Sequence, residues 1–409
     1  MKRILAVALG ILTAIGGFVD IGDLVTNAVV GSRFGLGLAW VVVVGVVGIC
    51  VYASMAGRVA AVSGRATFEI IRERLGPRAG LANLTGSFLI TLLTATAEVG
   101  GIALSLQLAT SVGPMMWVPV AAFGVWVVIW RAKFDLLENV TGMLGLALIV
   151  FAVALFLLSP DWGSLADQAL TPVIPDSEPV ATYWFFAVAL FGAAMTPYEV
   201  FFFSSGAIEE GWTKSDLATS RANVFVGFPL GGLLSIAIAG CAAVVLLPQS
   251  IAVTSLSQIV LPVAQAGGTL ALSFAIVGIL AATFGAALET TLSSGYTLAQ
   301  YLGWSWGKFR RPARAARFHL SMIVVLLVAI GILATGVDPI AVTEISVVFS
   351  AVALPLTYLP ILLVANDPEY MGDAVNGRGM NAIAVVYLVI ILAAAAAAIP
   401  LLIVTGAGA

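Results

Sequence analysis

Long apolar stretches follow one another along the whole chain, separated by short polar segments. Eleven of them are long enough to cross a hydrocarbon core of about 30 Å as a helix that rises about 1.5 Å per residue. They span 4–31, 37–62, 83–112, 115–130, 136–158, 182–206, 223–247, 268–302, 319–336, 341–365 and 381–405. Because 61% of the residues are hydrophobic and only 10% are charged, the chain cannot hide its apolar surface from water. The sequence therefore predicts an all-α polytopic membrane protein with eleven transmembrane helices.

The basic residues predict the orientation of these helices. If the N-terminus is cytoplasmic, every Lys and Arg except Arg33 falls in a cytoplasmic segment, as the positive-inside rule requires. We therefore expect a bacterial inner-membrane protein with its N-terminus in the cytoplasm and its C-terminus outside. Aromatic residues near the span ends are expected to lie at the membrane interfaces, and examples are Trp40, Trp130, Trp162 and Trp304.

Other features of the chain have plainer interpretations. Residues 1–3 and the apolar run after them could begin a signal peptide, but the run continues to Val30 without a small-residue cleavage site, so a membrane helix is expected. Cys50 and Cys241 lie in separate apolar segments, as packing cysteines do. No basic patch with interleaved aromatic residues suggests nucleic acid, and nothing suggests an obligate protein partner. The outer loop 159–181 is acidic, and it either attracts cations weakly or is an ordinary solvated loop.

Two carboxylates, Asp20 and Asp23, interrupt the first apolar segment after Gly16-Gly17. An ionised carboxylate at bilayer depth costs about 2.5–3.5 kcal/mol on insertion scales, and two of them three residues apart repel each other. No basic residue lies near enough in the sequence to neutralise them. A visiting metal cation would do so, which makes this interruption a candidate metal site.

The sixth segment is interrupted as well. Pro197 removes a backbone donor and clashes with the preceding turn, and Glu199 places a carboxylate beside this break. Either break alone is explained by a kink in a packed bundle. Two acidic breaks at corresponding positions favour a cation site, because broken helices free carbonyl groups that need partners in lipid and hard cations bind oxygen ligands.

The matching breaks predict two repeats in one transmembrane domain, 1–409. The first repeat covers about 4–158 and the second about 182–365, and helix 381–405 is an addition. This arrangement is that of transporters built from inverted repeats with one broken helix in each half.

Further carboxylates lie inside the predicted spans. Glu98 either serves transport or bonds a neighbouring helix, and Glu289 belongs either to a polar packing seam or to the transport pathway. No Lys or Arg lies deep in a span, and the single histidine, His319, is near an inner end. Either several carboxylates are protonated or mobile cations neutralise them. A proton pathway is the competing use of these groups.

The order of these segments resembles the natural resistance-associated macrophage protein (NRAMP) family of divalent-metal transporters, over nearly the whole chain. The family carries Asp-Pro-Gly-Asn in helix one, where this chain has Asp20-Ile21-Gly22-Asp23. It carries Met-Pro-His-Asn in helix six, where this chain has Thr196-Pro197-Tyr198-Glu199. Ala97-Glu98-Val99-Gly100 is similar to the helix-three motif, and Lys133 to Val140 to the beginning of helix five. The resemblance implies the fold of the amino-acid-polyamine-organocation (LeuT-like) transporters.

The resemblance also implies a set of metal ligands. Carried over by position, they are Asp20, Asp23, Thr196 and the carbonyl of Ala193, and Glu199 could assist. Gly22, Glu98, Tyr198 and Glu289 are further candidates for the pathway. The thioether ligand of the family is absent. At the helix-one position where the family has an amide side chain, this chain has a second carboxylate. An all-oxygen site of this kind suits Mg²⁺ and Mn²⁺.

Proton coupling is put in doubt by the same comparison. A helix-three Asp of the family is Ala95 here, its helix-six His is Tyr198, and its helix-ten Gln corresponds to Val347. In these losses the chain resembles the NRAMP-related magnesium transporters. We expect a transporter, not an enzyme, that needs no cofactor and imports Mg²⁺ or Mn²⁺ by alternating access without proton coupling. The alternatives are a proton-coupled Mn²⁺/Fe²⁺ symporter and an amino-acid carrier on the same fold.

Overall fold

The computed structural model describes residues 18–131, 140 and 142–408, and every regular element in them is helical. The α-helices are α1 (Ile21–Phe34), α2 (Ala39–Ser63), α3 (Thr67–Thr110), α4 (Pro114–Arg131), α5 (Ile149–Leu157), α6 (Trp162–Leu170), α7 (Val180–Ala194), α8 (Pro197–Glu209), α9 (Leu217–Ala222), α10 (Phe228–Val245), α11 (Leu256–Leu302), α12 (Ala316–Leu333), α13 (Pro339–Ala365), α14 (Pro368–Met371) and α15 (Arg378–Thr405). Short 3-10 turns lie at Leu146–Leu148, Lys214–Asp216, Leu247–Gln249, Pro312–Arg314 and Gly372–Ala374, and a π-helical turn lies at Asn223–Gly227.

Most of these helices are long and apolar enough to cross a membrane. In the part of the chain that the structure describes, nine helices meet this description, or ten if 142–157 and 162–170, which are bent by 114°, form one span. α2, α4, α12, α13 and α15 begin and end within three residues of the predicted bounds. The beginnings of the first and fifth predicted segments lie outside the described residues. The all-helical fold is therefore confirmed, and the count of eleven stays a prediction.

Both predicted breaks are present. Asp20 is extended (φ −90°, ψ −177°) and α1 begins at the next residue. α7 ends at Ala194 and α8 begins at Pro197, with Met195 and Thr196 outside helical geometry. Proline at the first helical position is favourable, because the N–H group that it lacks would have no intrahelical partner at that position.

Two further helices are interrupted at a glycine. α3 leaves helical geometry at Gly76 (φ 76°) and α11 at Gly268 (φ 64°), and a side chain at such φ values would be strained. α3 and α11 contain most of the third and eighth predicted segments, 83–112 and 268–302, but begin earlier than predicted. Gly76 lies before the third segment and Gly268 at the beginning of the eighth, so a similar interruption recurs near the beginning of both segments. This is the pattern that two repeats call for; the division into repeats 4–158 and 182–365 remains a prediction.

The outer loop contains a helix that the sequence pattern did not predict. α6 lies within 159–181, and Asp161 caps it by accepting hydrogen bonds from the backbone N–H groups of Gly163 (2.9 Å) and Ser164 (3.3 Å). Helix capping is therefore one use of the acidic groups in this loop.

Ion pairs join segments that are distant in the sequence at both ends of the molecule. At one end Arg33 forms a two-bond pair with Glu178 (2.7 and 2.8 Å) and donates to the carbonyl of Gly408 at 2.5 Å. At the other end Arg74 pairs with Asp367 at 2.6 Å. The outer loop, the end of α1 and the C-terminal residues therefore lie at one end of the molecule. The side of the membrane that this end faces stays a prediction.

The core surrounds α1. All of its residues except Arg33 are buried, and it packs chiefly against α10 and α7. α3 packs most extensively against α11 and α13. The outer helices expose apolar side chains, such as Phe123 (62%) on α4 and Val389 (61%) on α15, which is expected for surfaces that contact lipid. The two breaks consequently lie inside a shell of helices.

We predict that Gly31→Ala destabilises the protein. A Cβ at Gly31 would lie 2.2 Å from the carbonyl oxygen of Ala239, so α1 and α10 must move apart. Overpacking of this kind costs about 1–3 kcal/mol, and thermal unfolding in detergent measures it. Gly331→Ala is the matched control, because nothing lies within 4 Å of its Cβ position. Equal melting temperatures for the two variants would contradict the close contact of α1 with α10.

Candidate functional site

A hydrogen bond joins the two helix breaks. The hydroxyl of Tyr198, in the first turn of α8, donates to Oδ2 of Asp20 at 3.2 Å. Asp20 is 3% exposed and Tyr198 is 1% exposed. The first and sixth predicted segments, 178 residues apart in this contact, therefore meet at their interruptions. The structure brings these two predicted site residues together.

Asp20 also caps α1. Its Oδ1 accepts the backbone N–H of Asp23 at 2.7 Å, which satisfies a donor that the first turn of a helix leaves free. The partial positive charge at a helix N-terminus favours a carboxylate at this place. One oxygen of Asp20 thus stabilises the break and the other faces α8.

Asp23 points to a different neighbour. Its Oδ1 accepts from Nδ2 of Asn27 at 2.9 Å, one turn further along α1, and its Oδ2 accepts from the hydroxyl of Ser235 on α10. Asp23 and Asn27 have no measurable exposure. The two aspartates are therefore held by different helices, Asp20 beside α8 and Asp23 against α10.

The break between α7 and α8 frees backbone carbonyl groups. The N–H that would bond the carbonyl of Ala193 within a helix belongs to residue 197, which is proline and has none. The nearby carbonyl of Met195 accepts from the hydroxyl of Tyr358 on α13 at 3.1 Å. Ala193 thus has no intrahelical partner, which makes its carbonyl oxygen available to a ligand.

Thr196 and Glu199 lie at the same break. The hydroxyl of Thr196 donates to Oε2 of Glu199 at 3.2 Å, and both residues are buried. Met195 is fully buried with its sulfur against Gly48 of α2 and near Tyr387 of α15. Met195 is therefore a core residue, and its thioether packs between helices.

Glu98 reaches the break from α3. Its Oε1 accepts the backbone N–H of Ile21 at 3.2 Å, so it satisfies a second free donor of the first turn of α1. Its Oε2 is buried and has no hydrogen-bond partner among the described residues. Of the two roles left open for Glu98, the structure shows a bond to a neighbouring helix, directly at the break.

Glu289 and Gly22 lie close to this group. Glu289 is half-buried on α11 and interacts electrostatically with both Glu98 and Glu199. A Cβ at Gly22 would lie 2.8 Å from Val347 of α13 and 3.1 Å from Oδ1 of Asp20. Gly22 therefore allows α13 to approach the beginning of α1, and Val347 borders the break.

The buried carboxylates are not paired with basic side chains. Among residues 18–131, 140 and 142–408, no ion pair involves Asp20, Asp23, Glu98 or Glu199. In the same residues, no three His, Cys, Asp or Glu side chains are grouped closely enough to hold a metal ion. Oxygen ligands other than carboxylates, such as a carbonyl and a hydroxyl, are therefore needed to complete a cation site here.

Broken helices that meet around buried carboxylates are typical of secondary transporters, and two solved transporters share this fold. The manganese transporter of Eremococcus coleocola, in complex with an aromatic bis-isothiourea substituted compound, gives a TM-score of 0.69 at 19% identity, covering 96% of this chain and 85% of that one. A nucleobase-cation-symport-1 family transporter in a closed conformation gives 0.61 at 18% identity, covering 96% and 91%.

Sequence comparison identifies the family. The family described as natural resistance-associated macrophage protein-like matches residues 10–400. The divalent metal cation transporter MntH of Aeromonas hydrophila is 25% identical over 372 residues, covering 88% of this chain and 87% of that protein. MntH 1 of Pseudomonas aeruginosa is 26% identical over 399 residues, covering 94% and 88%. The chain belongs to the NRAMP family, which confirms the resemblance seen in its motifs.

Sequence reasoning missed three residues of the site. Ser235 comes from a segment with no break and no charged residue, and Tyr358 comes from one whose only charged residue is Glu344. Nothing in the sequence therefore marked Ser235 or Tyr358. Asn27 was detectable, because it lies four residues after Asp23 and such pairs face each other on a helix.

We predict that Ser235→Ala destabilises the protein. It leaves one oxygen of the fully buried Asp23 without its donor, and an unsatisfied buried polar group costs about 1–3 kcal/mol. Ser321→Ala is the control, because Ser321 is half-buried and donates only to the carbonyl of Phe318 in its own helix (2.7 Å). The melting temperature in detergent should fall more for Ser235→Ala; a larger fall for Ser321→Ala would show that Ser235 does not support Asp23.

Proposed function

We propose that this protein imports divalent cations, Mg²⁺ first and Mn²⁺ second, by alternating access around the two helix breaks, without proton coupling. We propose further that its N-terminus lies in the cytoplasm and its C-terminus outside the bacterial inner membrane. The observation that carries the proposal is the junction of the breaks at Asp20 and Tyr198, surrounded by buried carboxylates. The names of the MntH relatives and of the manganese transporter support divalent metals as the class of substrate.

The proposed ligands are oxygen atoms from both breaks. Asp20 supplies a carboxylate, Ala193 its carbonyl and Thr196 its hydroxyl. Asp23 and Glu199 add negative charge near the ion. Hard divalent cations prefer such ligands, and Mg²⁺ keeps several of its waters, so a site with few protein ligands suits a partly hydrated Mg²⁺ ion.

Cation binding exchanges partners around the carboxylates. Asp20 must turn its Oδ2 from Tyr198 to the ion, and Asp23 contributes directly only if it leaves Ser235 and Asn27. Hydrogen bonds to charged groups are each worth about 1.5–3 kcal/mol. These internal donors satisfy the carboxylate oxygens when no ion is bound. They also compete with the ion for those oxygens, and this competition favours release of the ion.

The absence of proton coupling is proposed from the groups beside the breaks. Ala95, at the position where the motif resemblance places an aspartate of the family, is buried, and the hydroxyl of Tyr198 already contacts Asp20. The only histidine of the chain, His319, lies at the beginning of α12, where its Nε2 is 3.3 Å from the carbonyl of Arg310. A chain of titratable groups that carries protons away from the helix breaks would have to use Glu98 and Glu289. A proton-coupled Mn²⁺/Fe²⁺ symporter is the first alternative.

An amino-acid carrier is the second alternative. Such carriers present a free helix N-terminus to the substrate carboxylate. Here the N-terminus of α1 is already capped by Asp20 and Glu98. Both carboxylates would repel an anionic group at that place, which disfavours this alternative.

We predict that Asp20→Asn reduces Mg²⁺ uptake into proteoliposomes at least tenfold, because the amide is neutral and binds a hard cation more weakly than a carboxylate. Uptake is followed with a Mg²⁺-sensitive dye and a pH dye enclosed together. Asp161→Asn is the matched control, since Asp161 is also a helix-capping aspartate but lies in the outer loop. Unchanged Mg²⁺ uptake by Asp20→Asn would reject the site. Acidification of the lumen during uptake by the wild-type protein would reject uncoupled transport in favour of the symporter.

We predict that Thr196→Met raises affinity for Cd²⁺ relative to Mg²⁺ by tenfold or more, because a thioether is a ligand for soft metals. Thr335→Met places the same group at an exposed position and should change neither affinity. Competition of each metal against Mn²⁺ uptake measures the two affinities. If Cd²⁺ competes equally in the wild type and in Thr196→Met, Thr196 is not a ligand.

A further inference from the structure

A cluster of basic residues lies between α11 and α12, away from the helix breaks. Lys308, Arg310, Arg311, Arg314 and Arg317 fall within ten residues, and no acidic residue occurs between Glu289 and Asp338. Arg311, Arg314 and Arg317 are exposed. In the described part of the chain none of these three forms an ion pair. Arg311, Arg314 and Arg317 therefore present positive charge that no ion pair within the described residues neutralises.

The segment that carries the cluster is held in place. Trp306 donates from Nε1 to Glu69 at 3.0 Å, and the backbone N–H of Lys308 donates to Glu209 at 2.7 Å. The carboxylates of Glu69 and Glu209 thus fix the position of the segment. The arginines are presented on an ordered support and not on a free loop.

Arg317 stands at the end of a lipid-facing stripe. Its guanidinium carbon lies 5.6 Å from the ring centroid of Trp304, a cation–π contact. On α12 the exposed side chains of Leu320 (59%), Val324 (47%) and Leu327 (60%) follow it at helical spacing. A positive group beside an aromatic ring therefore meets the end of an apolar surface, as at the headgroup level of a bilayer.

We propose that Arg311, Arg314, Arg317 and Trp304, here called the basic face, bind the phosphate headgroup of an anionic phospholipid. One acyl chain of that lipid lies along Leu320, Val324 and Leu327. Each Lys or Arg near the membrane surface attracts anionic lipids by about 1 kcal/mol. Guanidinium groups also bind phosphate through paired hydrogen bonds. The apolar stripe continuous with the arginines favours a lipid over an acidic peptide, which needs no such stripe.

A similar arrangement occurs on the neighbouring helix α4. Arg131, its last residue, lies 4.2 Å from the ring centroid of Trp130, and Trp130 is 43% exposed. α4 packs against α12. A second pair of a guanidinium group and an aromatic ring therefore lies on a helix that contacts α12.

Lipid selection in nanodiscs tests this proposal without depending on transport. The purified protein is placed in nanodiscs of phosphatidylcholine with phosphatidylglycerol, and native mass spectrometry measures which lipid stays bound. In the triple variant Arg311→Gln, Arg314→Gln, Arg317→Gln, the ratio of bound phosphatidylglycerol to bound phosphatidylcholine should fall at least about fivefold. A change of this size corresponds to the loss of about one basic contact with the headgroup. Arg317→Lys, which keeps the charge, should retain most of the preference.

A second triple variant controls for net charge. Arg78→Gln, Lys214→Gln and Arg378→Gln also remove three exposed basic residues and should leave the preference unchanged. An unchanged preference in the first triple variant, or an equal loss in both, would overturn the basic face as a lipid site. If the first triple variant is not stable in detergent, Arg317→Gln alone decides by the same criterion: a preference equal to that of the wild type overturns the proposal.

Discussion

The structure depends on satisfying backbone groups where two membrane helices are interrupted. Lipid offers no hydrogen bonds, so each N–H and C=O that a break frees must find a partner within the protein or in a ligand. At the beginning of α1 those partners are the carboxylates of Asp20 and Glu98. At the end of α7 one freed carbonyl bonds Tyr358 and another, on Ala193, lacks its intrahelical donor because Pro197 follows.

The same side chains that stabilise the breaks also create an excess of negative charge. Asp20, Asp23, Glu98 and Glu199 are buried together without basic partners in the described residues. Such a group is stable only if it is protonated, bonded to neutral donors or visited by a cation. Ser235, Asn27 and Tyr198 supply the neutral donors. In the proposed cycle the cation replaces some of them, which links the stability of the breaks to transport.

Much of the fold could be predicted because the apolar segments and the breaks are local properties of the sequence. The helix bounds of α2 and α13 follow from hydropathy, and the break at Pro197 follows from its missing N–H. The family motifs pointed to Asp20, Thr196 and Glu199.

The rest depends on contacts between distant parts of the chain. Ser235 bonds a residue 212 positions away, and Arg33 bonds one 145 positions away, so no local pattern could reveal either contact. Glu98 could be recognised as a buried carboxylate, but not as a cap for α1, because that role depends on how α3 packs. α6 was missed because its nine residues are too few and too polar to give a membrane-span signal.

The location of a bound ion tests the central claim most directly. Crystals of the protein soaked with Mn²⁺ and measured at the manganese absorption edge give an anomalous peak at each bound metal. The account predicts a peak between the two breaks, within bonding distance of an oxygen of Asp20 and of the carbonyl of Ala193. Peaks only elsewhere in the molecule, or a peak at the breaks that is unaffected by Asp20→Asn, would contradict it.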